Sequence, residues 1–122
     1  MQTIVTIGMI LLVALFVLNK LLPAKGVKTI QTGQLKDDLR KYKNQKQWID
    51  VRTPGEYQAN HIKEFKNYPL QTLKHNTQSL DTSKEVVVIC QSGARSLAAT
   101  KILKKAGFSD VTNVQGGMNA WK

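Results

Sequence analysis

One cysteine in 122 residues is too few for an internal disulfide. The chain was therefore not built around covalent stapling, which agrees with a reducing compartment. Acidic residues are also scarce: 8 Asp and Glu stand against 18 Lys and Arg, for a formal net charge of +10. The two histidines, Cys90 and the carboxylates show no zinc-ligand spacing, so no zinc site is expected. There is no internal repeat and no low-complexity tract. The basic residues are scattered rather than clustered with aromatics, which argues against a nucleic-acid surface. Anionic lipid headgroups and small anionic substrates remain as what such a charge attracts.

Apolar residues concentrate at the N-terminus. Thr3 to Leu18 is apolar apart from two Thr and a Gly, and Leu21 and Leu22 extend the run past Asn19 and Lys20. As a helix, residues 3–22 would be roughly 30 Å long, the thickness of a bilayer's hydrocarbon core. Lys20 can snorkel to the interface. A cleaved signal peptide expects a positive n-region and a small-residue cleavage site. Met1-Gln2-Thr3 offers only its α-amino group, and Leu22-Pro23-Ala24-Lys25 is a poor cleavage site. The expectation is an uncleaved single-pass anchor over residues 1–22. Lys20, Lys25 and Lys28 on its C-terminal flank place that flank in the cytoplasm. Residues 23–26 read as a short linker, and residues 27–122 as one small domain held close to the membrane.

Within that domain, alternation predicts a strand at Val27–Ile30. Thr32 is the expected N-cap of a helix over Gln34–Tyr42, with Leu35 and Leu39 on one face. Gln47–Val51 reads as a second strand, and Thr53 caps a short helix begun by Pro54. A loop over residues 60–70 contains a short strand near Phe65–Tyr68, and Leu70–Thr77 is a weak helix. Glu85–Ile89 is the strongest strand. Ser96–Ala106 is a helix with Leu97, Ile102 and Leu103 inward and Gly107 as its C′ residue. Val111–Val114 is the last strand, and Met118–Trp121 closes the chain after a turn at Gly116-Gly117. Strands alternating with helices argue an α/β fold with a mainly parallel sheet and helices on both faces. Ligands in such sheets bind at the carboxyl ends of strands, which is where Cys90 lies.

A lone cysteine is commonly a small buried hydrophobe. Three local features favour a reactive thiol here. Gly93 permits a backbone that turns N–H groups inward. Arg95 supplies a fixed positive charge. The helix that follows almost at once points its unpaired N–H groups back toward the sulfur. Helix N-termini with cationic neighbours are where reactive thiolates occur. Arg95 at a helix start is electrostatically unfavourable, and an anion nearby would offset it.

The segment Cys90-x-x-Gly93-x-Arg95-Ser96, between strand and helix, resembles the active-site loop of single-domain rhodanese-like sulfurtransferases. Ile49-Asp50-Val51-Arg52, then Gly55-Glu56-Tyr57 and His61-Ile62, resembles the family's first signature. Gly116-Gly117-Met118-Asn119-Ala120-Trp121 resembles its last, and together the motifs cover about residues 27–122. The resemblance implies that Cys90 takes the outer sulfur of thiosulfate or a persulfide and passes it to a thiol or cyanide. Gln91, Ser92, Gly93, Ala94 and Arg95 form the loop that holds the anion. From Cys90 to Arg95 there are six residues, as in the sulfurtransferases. The related dual-specificity phosphatases use a loop one residue longer, so a phosphatase is disfavoured.

Asp50 and Arg52 are read as supports of the site, with Asp50 accepting N–H bonds or pairing with an arginine; Arg52 as a contact to the anion stays open beside that reading, and Ser96 supports the loop. His61 falls in a structural turn. Asn60, where the family usually has Gly, would serve there by tolerating left-handed backbone. Trp48 and Tyr57 are packing residues, and His75 is solvated. The implied partners are small sulfur donors, thiol acceptors and a sulfur-carrying protein, together with the membrane. Two alternatives stay open: a non-catalytic module of the same fold that binds an anion or a protein, and a thiol redox reductase, which would need a partner's thiol.

Overall fold

The computed structural model describes residues 2–21 and 25–122. Residues 2–21 form helix α1 (Gln2–Leu21). The remainder is organised around five parallel strands: β1 (Val27–Ile30), β2 (Gln47–Asp50), β3 (Lys66–Asn67), β4 (Val86–Ile89) and β5 (Val111–Val114). Their spatial order is β1–β5–β4–β2–β3, which puts β4 in the centre. The helices between them are α2 (Thr32–Tyr42), α3 (Pro54–Ala59), α4 (Leu70–Asn76), α5 (Ala94–Lys105) and α6 (Gly117–Ala120), with a 3₁₀ turn at Thr77–Ser79.

β4 takes the centre because it is apolar on both sides. All four of its residues are buried. Val86, Val88 and then Cys90 pack with Leu73 of α4 and Ala99 and Leu103 of α5. Val87 and Ile89 pack with Leu35 and Leu39 of α2 and Met118 of α6 on the opposite face. This is the two-residue period of a strand, and it leaves helices on both faces of a parallel sheet. Burying each Val or Ile contributes about 1.5–3 kcal/mol relative to leaving it in water, so the strand that ends at Cys90 is anchored along its whole length.

Several local details differ from the sequence reading. Thr32 does not cap α2 but begins it, with Gln31 in the capping position and making no side-chain bond. The Thr32 hydroxyl instead donates to the Ala120 carbonyl (3.2 Å), tying α2 to α6. α5 starts at Ala94 rather than Ser96, because Gly93, at φ 111°, already serves as its N-cap. The inward face of α5 is built from Ser96, Ala99, Thr100 and Leu103, while Leu97 and Ile102 are half-buried. Thr100 is tolerated inside because its hydroxyl donates to the Leu97 carbonyl at 2.6 Å. Asn60 is extended (φ −170°, ψ 129°) rather than left-handed. Thr53 caps α3 as expected, in a full capping box with Glu56 and with Pro54 in the first turn.

The expected membrane span requires a correction. No helix among the described residues is long and apolar enough to cross a membrane. The expected end of the span at Leu22, and Pro23 and Ala24 of the linker, lie outside the described residues. What α1 does present is a row of exposed apolar side chains, among them Ile4, Leu12 and Phe16.

Candidate functional site

Cys90 directly follows β4 and is wholly buried. Its sulfur accepts the Gly93 N–H (3.0 Å) and donates its S–H to Ser96 Oγ (3.3 Å). Ser96 in turn donates to the Gly93 carbonyl (3.0 Å). Gly93 makes this closed circuit possible: its positive φ folds the loop so that its amide faces back onto the sulfur. Among the described residues it is the Gly93 amide, rather than several amides together, that is hydrogen-bonded to the sulfur. Ser92 and Ala94 are exposed at the rim of the loop.

The floor of the loop is held from the other end of the chain. The Met118 N–H donates to the Cys90 carbonyl (2.8 Å) and the Asn119 N–H to the Gln91 carbonyl (2.9 Å). The Gln91 side chain donates to Asn119 Oδ1 (2.6 Å) and accepts from Arg52 Nη1 (3.1 Å). This contact requires Gly117. Its φ is +54°, and a Cβ there would collide with the Cys90 carbonyl and the Gln91 backbone.

Asp50 and Arg52 form the support beneath. Asp50 is fully buried at the end of β2, and Arg52 is nearly so. Arg52 Nη2 donates to Asp50 Oδ2 (2.8 Å) and to the Asn60 carbonyl (2.6 Å), and its Nε and backbone N–H both reach Asp50 Oδ1 (3.0 Å each). Asn67 locks the same turn by donating to the Asp50 and Arg52 carbonyls (3.0 and 2.9 Å). A buried ion pair persists only when its remaining donors and acceptors are satisfied, and here Asp50, Asn60 and Gln91 take most of the guanidinium N–H groups. Arg52 thus joins three segments of the site and is itself buried.

Arg95 behaves in the same way at the rim. Its Nη1 donates to Glu56 Oε1 (2.6 Å) and its Nη2 to Glu56 Oε2 (2.9 Å). The anion that offsets a cation at the start of α5 is therefore supplied by the chain itself. The Arg95 hydrogen bond, followed by the Thr53 backbone N–H, lowers the Glu56 pKa to about 2. The same bond raises that of Arg95, with smaller contributions from Cys90 and Asp50. His61 lies outside this constellation, with Nδ1 at 2.8 Å from the Tyr57 carbonyl and its ring stacked on Tyr57.

The structure thus brings together Cys90, the loop from Gln91 to Arg95, Ser96, Asp50 and Arg52. It adds two residues to which sequence reasoning assigned no part in the site. Glu56 carried a local signal, Thr53-x-x-Glu56, for its capping role. Nothing local announces its bond to Arg95, 39 residues away. Asn119 carried no signal beyond its place in the closing motif. Chemically, the site is a thiol at the end of a rigid strand, under a loop that leads into a twelve-residue helix whose first amides lack intrahelical acceptors.

Comparison with known proteins agrees with this geometry. The family model described as the rhodanese-like domain matches residues 32–122. The chain is 35% identical over 96 residues to the putative sulfurtransferase YtwF of Bacillus subtilis, an alignment that covers 79% of this chain and 91% of that protein. It is 38% identical over 73 residues to the putative sulfur carrier protein YrkF of the same organism, covering 60% of this chain and 40% of that longer protein. Among solved structures, the crystal structure of a rhodanese-like domain protein from Staphylococcus aureus superposes with a TM-score of 0.72 at 34% identity, covering 78% of this chain and 91% of that one.

Two outcomes follow from the contacts around the loop. Gly117→Ala should lose at least about 2 kcal/mol of stability, from left-handed strain and the backbone collision, read as a lowered urea midpoint. The Glu56 carboxylate, whose pKa is depressed on folding to about 2, stabilises the fold above its unfolded pKa near 4.5 and ceases to do so as pH falls through 2. Acid titration of stability should therefore be shallower for Glu56→Gln than for the wild type between those limits.

Proposed function

We propose, from the premise that the chain belongs to the rhodanese-like domain family, that it is a sulfurtransferase in which Cys90 carries the sulfur. The observation that carries this reading is the cysteine itself, placed at the carboxyl end of the central strand and bonded to the amide of a left-handed glycine. The thiolate of Cys90 attacks the outer sulfur of the donor. With thiosulfate the S–S bond breaks, sulfite leaves with the electron pair, and Cys90 becomes a persulfide. An acceptor thiolate or cyanide then attacks the outer sulfur of that persulfide and releases the Cys90 thiolate. Two displacements through a covalent intermediate give ping-pong kinetics. The Gly93 amide supplies a preorganised donor for the sulfur anion. Gln91 and Arg52 hold the loop's shape. The acceptor is a thiol of a small molecule or of a sulfur-carrying protein, a reading supported by the similarity to a protein named as a putative sulfur carrier.

We further propose that α1 attaches the domain to a membrane, with the catalytic domain on the cytoplasmic side. The exposed apolar side chains of α1 and the lysines that follow it in the sequence support this reading.

Treatment with thiosulfate or a persulfide should add about 32 Da to the protein, with the adduct absent in Cys90→Ser and removed by a reducing thiol. A wild-type protein that gains no such mass with either donor would leave a loop that binds without chemistry. The full chain should float with liposomes containing anionic lipid, and a chain lacking residues 1–25 should stay in the soluble fraction while still accepting sulfur. Equal flotation of both would assign membrane attachment to the basic domain surface instead.

A further inference from the structure

Both arginines beside Cys90 already hold a carboxylate. Arg52 is bonded to Asp50, and Arg95 makes a two-pronged pair with Glu56. Gln91, Ser92, Gly93 and Ala94 carry no charge. The two arginines and two carboxylates sum to zero, so a chain with a net charge of +10 builds a loop whose own cations are compensated. A dianionic donor is poorly matched to such a loop. Thiosulfate carries two negative charges, and the sulfite it releases carries two as well, so each needs a counter-charge the loop does not leave open. A persulfide donor makes a smaller demand. The thiolate of Cys90 attacks the terminal sulfur of R–S–SH, the S–S bond breaks, and R–S⁻ departs with the electron pair. Cys90 is left as its own persulfide, with the proton still on the transferred sulfur, and one negative charge is present before and after.

We propose that Glu56 sets donor selectivity: by occupying Arg95 it disfavours dianionic donors such as thiosulfate and leaves the site suited to persulfides of low charge. This rests on the sulfurtransferase reading above. Glu56 is a positioning residue that acts through Arg95. It is well placed for the role, because the carboxylate is fixed at both ends. The Thr53 backbone N–H donates to Oε1 (3.0 Å) within the capping box of α3, while Arg95 engages both oxygens. Its depressed pKa keeps it ionised throughout the neutral range. Arg95 is about one-third exposed, so once released it can turn toward an anion at the loop mouth.

Glu56→Gln tests this directly, because Gln keeps the capping-box geometry but removes the charge. The ratio of kcat/KM for thiosulfate to that for the persulfide of 2-mercaptoethanol should rise about fivefold to tenfold, the effect of one unit charge close to an anion in a partly screened site. The change should fall mainly on the thiosulfate KM, and Glu56→Asp should move the ratio less than Glu56→Gln. An unchanged ratio, or an equal loss for both donors with a lowered melting temperature, would overturn the proposal and reduce Glu56 to a structural contact. A second measurement separates this idea from the enzyme reading. Sulfate binding is followed by calorimetry in Cys90→Ser and in Cys90→Ser with Glu56→Gln. Tighter binding in the double variant supports the charge argument even if no donor loads Cys90, and equal binding overturns it.

Discussion

A strand buried on both faces must end somewhere, and its last carbonyl groups must find donors where it ends. In this molecule β4 runs into Cys90 and Gln91, whose carbonyls accept the N–H groups of Met118 and Asn119. Everything at the site depends on that contact. It joins the C-terminal turn to the middle of the sheet, fixes the backbone on which the thiol stands, and admits only glycine at position 117. The loop from Gln91 to Arg95 then starts from an immobile base, and Gly93 can fold its amide onto the sulfur.

Charge is arranged on the same principle of internal satisfaction. Arg52 joins β2, the turn at Asn60 and the loop, and its burial is tolerable because Asp50, Asn60 and Gln91 between them use its donors. Arg95 sits where a helix dipole is unfavourable to cations, and Glu56 removes the conflict. The site is therefore organised by ion pairs rather than opened by free cations. The amide that reaches the sulfur is a backbone one, that of Gly93.

Much of the fold was legible because it follows from local pattern. The run Val86–Ile89 could only be an interior strand, Thr53 and Pro54 announced α3, and Gly107 ended α5 at φ 100°. Where local pattern misleads, the cause is a distant partner. A hydroxyl at position 32 suits a helix cap, but it donates to a carbonyl on α6 instead. An asparagine at position 60 suits a left-handed turn, whereas its carbonyl is held in an extended one by Arg52. Leu97 is apolar, yet α5 buries Ala99 and Thr100 and leaves Leu97 half-buried.

The order of residues by itself determined the alternation of strands and helices, the position of the cysteine at a strand end, and the loop that follows it. Each of these arises from periodicity or backbone preference over a few neighbouring residues. Only the tertiary structure decided what the charged and polar side chains do. Glu56 meets Arg95 across 39 residues, and Asn119 meets Gln91 across 28. Such pairings are set by the strand order that brings β2, β4 and the end of the chain together at the carboxyl end of the sheet. A hydrogen bond between distant segments leaves no periodic trace in the sequence, because its geometry exists only after the chain has folded.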